Sequence, residues 1–288
     1  MVALVATAAL VTPLAVTLSA PPSSAASGTV DVLYAGSLLD LMTVTLGPAF
    51  TKATGYTLSG FSAGSSALAN EIKGETQVAD VFISAAPSVN STLEGPANGD
   101  WVSTYATFGS SPLVLGYNRS SSFAHALTKN PWYDVVDRPG FLLGRTDPTV
   151  DPKGVLAIDA LQGVALSYDV PALAPLATSS AGVFPETTLV GRLQAGQLDA
   201  GFFYLVEARA ASLPTVPLIG TRLGAHYTVA IVNRDPHNAA AHAFVKFLLS
   251  KKGRAILTAN GITPAARATF GAGPPATTTT STTTTTAP

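Results

Sequence analysis

The sequence VDVLYAGS, Val30 to Ser37, passes from an apolar stretch into an Ala-Gly-Ser corner that opens a helix-like stretch. The sequence YTLSGFSAGS, Tyr56 to Ser65, repeats this arrangement in the next strand–helix unit. Glycine lets the backbone approach a ligand closely, and a serine hydroxyl beside helix N-terminal amides can hold an oxyanion without a formal positive charge. Simple N-capping of each helix by its serine is the alternative. The pair of corners predicts one oxyanion site, with Gly36, Ser37, Gly64 and Ser65 as candidate ligand-binding residues.

Composition excludes several classes of function. Charged residues make up 11% of the chain, and the formal net charge is −1. The largest basic cluster, Lys251-Lys252-Gly253-Arg254, is too small for a nucleic-acid surface, so we expect no nucleic-acid partner. The absence of cysteine excludes disulfides, thiolate chemistry and cysteine-ligated zinc. The four histidines show no metal-ligand spacing, so we expect neither a metal centre nor a cofactor.

The two ends of the chain predict an exported protein. Met1 to Ala20 is apolar, and Ser24-Ala25-Ala26 offers the small residues of a signal-peptidase site. Residues 1–26 are therefore predicted to be a secretory signal peptide, with an uncleaved membrane anchor as the alternative. Residues 274–288 are rich in threonine and have little apolar surface to bury, which predicts a disordered tail. The tail is a spacer or glycosylated stalk, or alternatively a neutral extension, and it supports a location associated with the cell envelope.

The rhythm of the folded part predicts an α/β protein with two lobes. Strand-like and helix-like stretches alternate at short intervals up to about Glu94, which indicates a parallel sheet covered on both faces. Longer extended segments follow near 101–117 and 216–233. We interpret them as two crossovers between lobe 1, residues 28–112 and 226–273, and lobe 2, residues 113–225. A ligand in such a fold is expected between the lobes, at the carboxyl ends of the strands.

A polar loop between Gly144 and Gly154 supplies a further candidate. It contains two Asp-Pro steps followed by glycine. Asp151 is placed to cap a helix that begins at Pro152, since proline is favoured in the first helical turn. The alternative is that the Asp151 carboxylate faces the ligand.

An enzymatic alternative overlaps the second corner. Gly60-Phe61-Ser62-Ala63-Gly64 matches G-x-S-x-G, the nucleophile elbow of serine hydrolases. Asp147 or Asp199, with His226 or His237, would complete the triad in chain order. Too few residues precede Ser62 for the strands that normally come before this elbow. We therefore expect no enzymatic activity, and the serine esterase stays the alternative from a different class.

Several segments together resemble the archaeal-type molybdate/tungstate-binding proteins of ABC importers, and the resemblance covers most of the predicted mature chain. The Gly144-to-Gly154 loop resembles the most specific segment of that family. The other matching segments are Tyr34-Ala35-Gly36-Ser37-Leu38, Ser62-Ala63-Gly64-Ser65, Ala79-Asp80-Val81, Asp100-Trp101, Tyr105-Ala106-Thr107-Phe108, Pro131-Trp132-Tyr133, Arg138-Pro139 and Gly196-Gln197-Leu198-Asp199-Ala200-Gly201-Phe202-Phe203-Tyr204.

The resemblance implies a type II periplasmic-binding fold that clamps an oxyanion between its lobes. Ser37 and Ser65 would then donate hydroxyl and amide hydrogens to the oxyanion. Asp151 matches the family's carboxylate that approaches the metal atom of the oxyanion, and Tyr204 matches a tyrosine near the site.

This chain also departs from the family pattern. Phe203 stands where a second metal-approaching carboxylate is expected, which favours a simpler tetrahedral clamp and brings sulfate into consideration. Glu207 would lie one turn beyond Phe203 if that segment is helical. The replacements after the Asp-Pro step are Lys153, Val155 and Leu156 in place of the family's Cys, Tyr and Arg.

The favoured hypothesis is a secreted, monomeric solute-binding protein that takes up molybdate or tungstate and delivers it to an ABC permease. Sulfate or another tetrahedral oxyanion is the alternative ligand.

Overall fold

The computed structural model describes residues 28–234 and 236–272. The predicted signal peptide and the threonine-rich tail lie outside the described residues. Among the residues that are described, no helix combines the length and the apolarity needed to cross a bilayer.

Ten strands and eleven α-helices make up the described chain. The strands are β1 Thr29–Ala35, β2 Thr57–Ala63, β3 Val81–Ser84, β4 Val102–Tyr117, β5 Leu143–Thr146, β6 Val183–Phe184, β7 Ala200–Tyr204, β8 Thr215–Pro217, β9 Gly224–Val232 and β10 Thr263–Ala272. The helices are α1 Gly47–Thr54, α2 Ser65–Lys73, α3 Pro87–Ser91, α4 Ala124–Lys129, α5 Tyr133–Val136, α6 Pro152–Ser167, α7 Leu173–Thr178, α8 Glu186–Gln194, α9 Leu205–Ala210, α10 Asn238–Leu249 and α11 Lys251–Ala259.

The strands follow one order, β2-β1-β3-β9-β4-β7-β5-β6. β1 pairs in parallel with β2 and β3, as the short strand–helix alternation predicts. The expectation of a parallel sheet is wrong at the centre, where β9 is antiparallel to both β3 and β4. The reason is that β9 brings the chain back towards its starting lobe and enters the sheet between two strands that run the other way.

A single strand links the two parts of the sheet. The two extended segments predicted near 101–117 form one continuous strand, β4, of 16 residues. Its first part, up to Pro112, pairs with β9, and Leu113 to Tyr117 pairs with β7. We call the part around β1, β2, β3 and β9 the first lobe and the part around β5 and β7 the second lobe. The division of the chain at particular residues stays a prediction.

The strand β10 is absent from the sequence-based expectations. It pairs antiparallel with β4, and the register shifts between Pro264 and Thr269. Proline removes a backbone donor, and the segment lacks the alternation of apolar and polar residues that marks a strand. Its place in the sheet therefore depends on the partner strand rather than on a local pattern.

Each lobe has aromatic side chains at its core. In the first lobe the rings of Phe50 and Phe244 meet edge to face, with centroids 5.3 Å apart. In the second lobe Trp132 and Phe202 do the same at 6.0 Å, and the Trp132 indole donates to the Ile219 carbonyl at 3.0 Å. Each fully buried aromatic or aliphatic side chain contributes about 1.5–3 kcal/mol to folding. Both sides of the cleft are thus supported by packed cores.

Candidate functional site

The two Ala-Gly-Ser corners lie side by side. Ala35, the last residue of β1, pairs with Ala63, the last residue of β2, in a parallel register. Gly36 begins a short 3₁₀ turn, Gly36–Leu38, and Gly64 is the N-cap of α2. Both corners therefore stand at the carboxyl ends of neighbouring parallel strands, where α/β folds bind their ligands.

The serines do not cap their own helices. Neither corner has a side-chain capping hydrogen bond, so the capping alternative is wrong. The Ser37 hydroxyl instead lies 2.9 Å from the Tyr227 hydroxyl, and both residues are buried. The Ser65 hydroxyl accepts a hydrogen bond of 3.0 Å from the amide of Ala85. Accepting this bond leaves the Ser65 hydroxyl hydrogen available for donation.

Asp151 caps a helix, which is one of the two roles that the sequence predicts for it. It is the N-cap of α6, and its Oδ1 accepts from the Lys153 amide at 2.9 Å. Its second oxygen, Oδ2, is buried and has no hydrogen-bond partner. Burial raises the pKa of Asp151, against the opposing effects of the nearby Lys153 and of the Thr146 hydroxyl. One oxygen therefore supports the helix, and the other has at most the Thr146 hydroxyl beside it.

Each first-lobe corner meets an acidic residue of the second lobe. A methyl group added to Gly64 would overlap the Val150 carbonyl and lie 3.0 Å from Cβ of Asp151. A methyl group added to Gly36 would overlap Oε2 of Glu186. The Ala67 amide also donates to the Val150 carbonyl at 3.1 Å. The two sides of the cleft are thus in direct contact, and at Gly64, where the facing atom belongs to the backbone, only glycine fits.

A buried lysine forms ion pairs with two acidic residues of the second lobe. Lys153 is fully buried, and its Nζ lies 2.7 and 2.9 Å from the two oxygens of Glu207 and 3.2 Å from Oε1 of Glu186. Burial alone would lower the pKa of Lys153, but Glu207, Glu186 and Asp151 together raise it well above its usual range. Burial raises the pKa of Glu207, and it raises the pKa of Glu186 to about 8 although Lys153 opposes both shifts.

The end of β7 contains the candidate residue Tyr204 and also Phe203, the residue that departs from the family pattern. The Tyr204 hydroxyl is buried without a hydrogen-bond partner, and its ring stands 6.1 Å from that of Tyr227. Burial places the pKa of Tyr204 well above its usual value. Phe203 packs in an apolar cluster of the second lobe, and Lys153 Nζ lies 5.5 Å from its ring. An aromatic side chain thus lies beside the ammonium where the family pattern has a carboxylate.

Sequence reasoning missed part of this wall. Tyr227 lies in a strand with no distinguishing motif, and Glu186 is simply the first residue of α8. Two residues of this wall did stand out in the sequence. Lys153 replaces the family's Cys, and Glu207 would lie one helical turn beyond Phe203. α9 is indeed helical there, and Glu207 bonds to Lys153 with both oxygens.

The esterase alternative lacks its elbow. Ser62 lies inside β2, in register with Tyr34, and the turn into the helix comes only at Gly64. Two of its proposed partners are engaged elsewhere. Asp199 accepts from the Ser121 hydroxyl at 2.6 Å, and His237 lies 2.9 Å from Asp80.

His237 belongs to a small cluster at the other end of the first lobe. Its Nδ1 lies 2.9 Å from Oδ2 of the buried Asp80 and 3.5 Å from Oδ2 of Asp31. The same Asp80 oxygen accepts from the Asp31 amide at 2.7 Å. Through these contacts Asp80 connects β1, the start of β3 and the start of α10.

The candidate site thus has two unlike walls. The first lobe offers hydroxyls, corner amides and helix N-termini, all without formal charge. The second lobe offers Asp151 Oδ2 and the Lys153–Glu186–Glu207 cluster. Such an arrangement can hold an oxyanion by neutral donors while a carboxylate oxygen faces its centre.

Comparison with known proteins identifies the family of the chain. A family model described as bacterial extracellular solute-binding protein matches residues 30–263. A Haloferax volcanii protein named “Putative ABC transporter molybdenum-binding protein” is 31% identical over 222 residues, which cover 77% of this chain and 67% of that protein. The molybdate/tungstate-binding protein WtpA of Pyrococcus abyssi is 24% identical over 208 residues, which cover 54% of this chain and 60% of that protein.

Solved structures confirm the fold. The periplasmic molybdate-binding protein of Azotobacter vinelandii superposes with a TM-score of 0.64 at 19% identity, covering 81% of this chain and 98% of that one. The sulfate-binding protein SubI of Mycobacterium tuberculosis gives 0.62 at 16% identity, covering 83% and 88%. The predicted two-lobed periplasmic-binding fold is therefore confirmed, while these similarities leave the choice of anion open.

Proposed function

We propose, from the premise that the chain belongs to the bacterial extracellular solute-binding proteins, that it captures molybdate or tungstate in the cleft between its lobes. The single observation that carries the choice of ligand is Asp151, whose Oδ2 is buried beside the Gly64 corner without a hydrogen-bond partner. The names of the Haloferax and Pyrococcus relatives support the same ligand class.

The physical reason lies in what a carboxylate does to each anion. Sulfate is fully deprotonated and its sulfur takes no further oxygen ligand, so a buried carboxylate facing it is only repulsive. The metal atom of molybdate or tungstate can accept an additional oxygen, and a hard metal favours carboxylate ligands. We infer that Asp151 selects for these anions and against sulfate.

The other contacts follow from the two corners. Ser37 and Ser65 donate hydroxyl hydrogens to the oxyanion, and the Gly36 and Gly64 corners bring backbone amides close to it. Tyr204, with its unpaired buried hydroxyl, lies opposite them at the end of β7 in the second lobe. Hydrogen bonds to a charged group are worth about 1.5–3 kcal/mol each, so several neutral donors suffice.

We propose further that the chain performs no chemistry on its ligand and acts outside the cytoplasm as a monomer. The lobes close around the anion by bending, and the closed form docks on the permease of an ABC importer.

A thermal-shift panel with molybdate, tungstate, sulfate and phosphate tests the ligand class, because a ligand that binds only the folded state raises its stability. We expect molybdate and tungstate to raise the Tm and sulfate to leave it nearly unchanged. A larger shift with sulfate would favour the alternative of a tetrahedral clamp.

Calorimetry with Ser37→Ala and Ser65→Ala tests the site itself. Each substitution should weaken molybdate binding by about tenfold or more, the scale of one lost hydrogen bond to a charged group. Ser62→Ala is the matched control, since Ser62 lies within β2 before the Gly64 corner, and its loss should leave binding unchanged. Unaltered affinity in both corner variants would contradict the site, and ester hydrolysis that disappears in Ser62→Ala would revive the enzymatic alternative.

A further inference from the structure

Glu186 stands beside the corner at which the proposed function places the anion. Its Oε1 lies 3.2 Å from Lys153 Nζ, and its Oε2 packs against the Cα of Gly36 across the cleft. Gly36 and Ser37 form one of the two corners that would hold the oxyanion. A carboxylate of the protein thus stands against that corner, and it is buried.

The charges around Glu186 leave no cation to spare for an incoming anion. The groups that face it are Lys153 on α6, Glu207 on α9, Asp151 at the N-cap of α6, and the phenols of Tyr204 on β7 and Tyr227 on β9. Lys153 is the buried ammonium beside these acids, and both oxygens of Glu207 already engage it. A dianion that approached this wall with Asp151, Glu186 and Glu207 all ionised would meet strong repulsion.

Moving Glu186 aside would not remove that repulsion. A cavity of about 210 Å³ adjoins the carboxylate, and Asp40 and Glu207 line it together with Gly36 and Ser37. Glu186 would leave Lys153 and enter a space that already has two acidic residues on its wall. The cavity does, however, give Glu186 access to protons from solvent.

We propose that Glu186 sets the affinity of the site by taking up one proton when the oxyanion binds. The inference rests on the proposed function. The proton comes from the buffer, neutralises Glu186 and leaves the Lys153–Glu207 pair intact. The neutral carboxyl then has an O–H that can donate to an anion oxygen, where the carboxylate could only repel it.

The titration of Glu186 defines where this coupling is visible. Its pKa, raised by burial to about 8, leaves it largely ionised above that pH and protonated well below it. A bound dianion raises the pKa further, because a nearby negative charge disfavours the ionised form. Proton uptake is therefore expected above pH 8, and it should fade towards pH 6.5.

Titration calorimetry of the full chain with sodium molybdate, in two buffers of different ionisation heat, measures the protons taken up. At pH 8.5 we expect uptake approaching one proton per anion, and at pH 6.5 close to none. The affinity should fall by up to about tenfold per pH unit above pH 8, the limit for one linked proton. Glu186→Gln should abolish the uptake and bind molybdate at pH 8.5 at least as tightly as the unaltered protein.

Glu94→Gln is the matched control. Glu94 is a buried glutamate of the first lobe whose pKa is also raised by burial, and it lies outside the cleft. It should keep the full uptake. Uptake that persists in Glu186→Gln, or molybdate binding by the unaltered protein without uptake at pH 8.5, would overturn the inference while leaving the proposed function intact. Failure of the unaltered protein to bind any oxyanion would overturn both the proposed function and this inference. If Glu186→Gln does not fold, the proton uptake of the unaltered protein at pH 8.5 and pH 6.5 still tests the inference.

Discussion

The two walls of the cleft solve the problem of holding an anion in opposite ways. The first-lobe wall, with Ser37 and Ser65, offers hydroxyls and helix N-termini without formal charge, and its acidic residue Asp40 lies at the adjoining cavity. The second-lobe wall carries Asp151, Lys153, Glu186 and Glu207, all buried. A neutral wall attracts every oxyanion of the right size. A wall of buried acids balanced by one lysine can reject some of them, so affinity and selectivity are expected to be separable by mutation.

The largest effect should come from removing the cation of the second-lobe wall. Lys153→Met leaves Glu186 and Glu207 buried without their ammonium, and breaking such a buried pair costs about 3–5 kcal/mol. Urea unfolding should show this loss, and Lys52→Met, which removes an exposed lysine of α1, should show almost none. Adding Glu207→Gln to Lys153→Met should restore part of the stability. A loss below about 1 kcal/mol would mean that the acids are already protonated and need no counter-charge.

The next effect probes the contact between the walls. Gly64→Ala places a methyl group against the Val150 carbonyl, a backbone atom that cannot turn aside. Overpacking of this kind costs about 1–3 kcal/mol, which corresponds to about 5- to 150-fold weaker molybdate binding if it holds the walls apart. Gly163→Ala is the control, because nothing lies near that glycine on the exposed face of α6. Equal molybdate affinities in Gly64→Ala and Gly163→Ala would show that a methyl group at the Gly64 corner does not impair binding.

The smallest effect should separate the two walls by ligand. Asp151→Asn keeps an N-cap of equal quality and removes the carboxylate charge. Molybdate should bind about tenfold more weakly, on the scale of one charge-assisted contact, while sulfate should bind more tightly because its repulsion is gone. Competition calorimetry measures both affinities, with Asp147→Asn in the same loop as the control. A change of the same size and sign for both anions would contradict a selective role for Asp151.

The neutral wall could be predicted from sequence, whereas of the charged wall only Asp151 could. Each Ala-Gly-Ser corner is a local pattern, since strand, glycine and helix start lie within ten residues of one another. The bounds of α2 and α10 follow from the periodicity of their apolar residues, and the start of α6 at Pro152 follows from its Asp151 cap. These features depend on residues that lie close together in the sequence.

The charged wall depends on elements that are far apart in sequence. Lys153 lies on α6, Glu186 on α8 and Glu207 on α9, and only the packing of the second lobe brings them together. No spacing rule links three such positions, and a buried lysine is rare unless it is paired. The continuity of β4 and the pairing of β10 were missed for the same reason, because both depend on a partner strand rather than on their own residues.

The position of β10 has a mechanical consequence. Its last described residue, Ala272, pairs with Thr104 on the first part of β4, so the described chain ends on the first lobe. A force applied at that end would act directly on the first lobe and not on the second. Immobilisation by that end, on a sensor surface or a bead, should therefore report closure without hindering it.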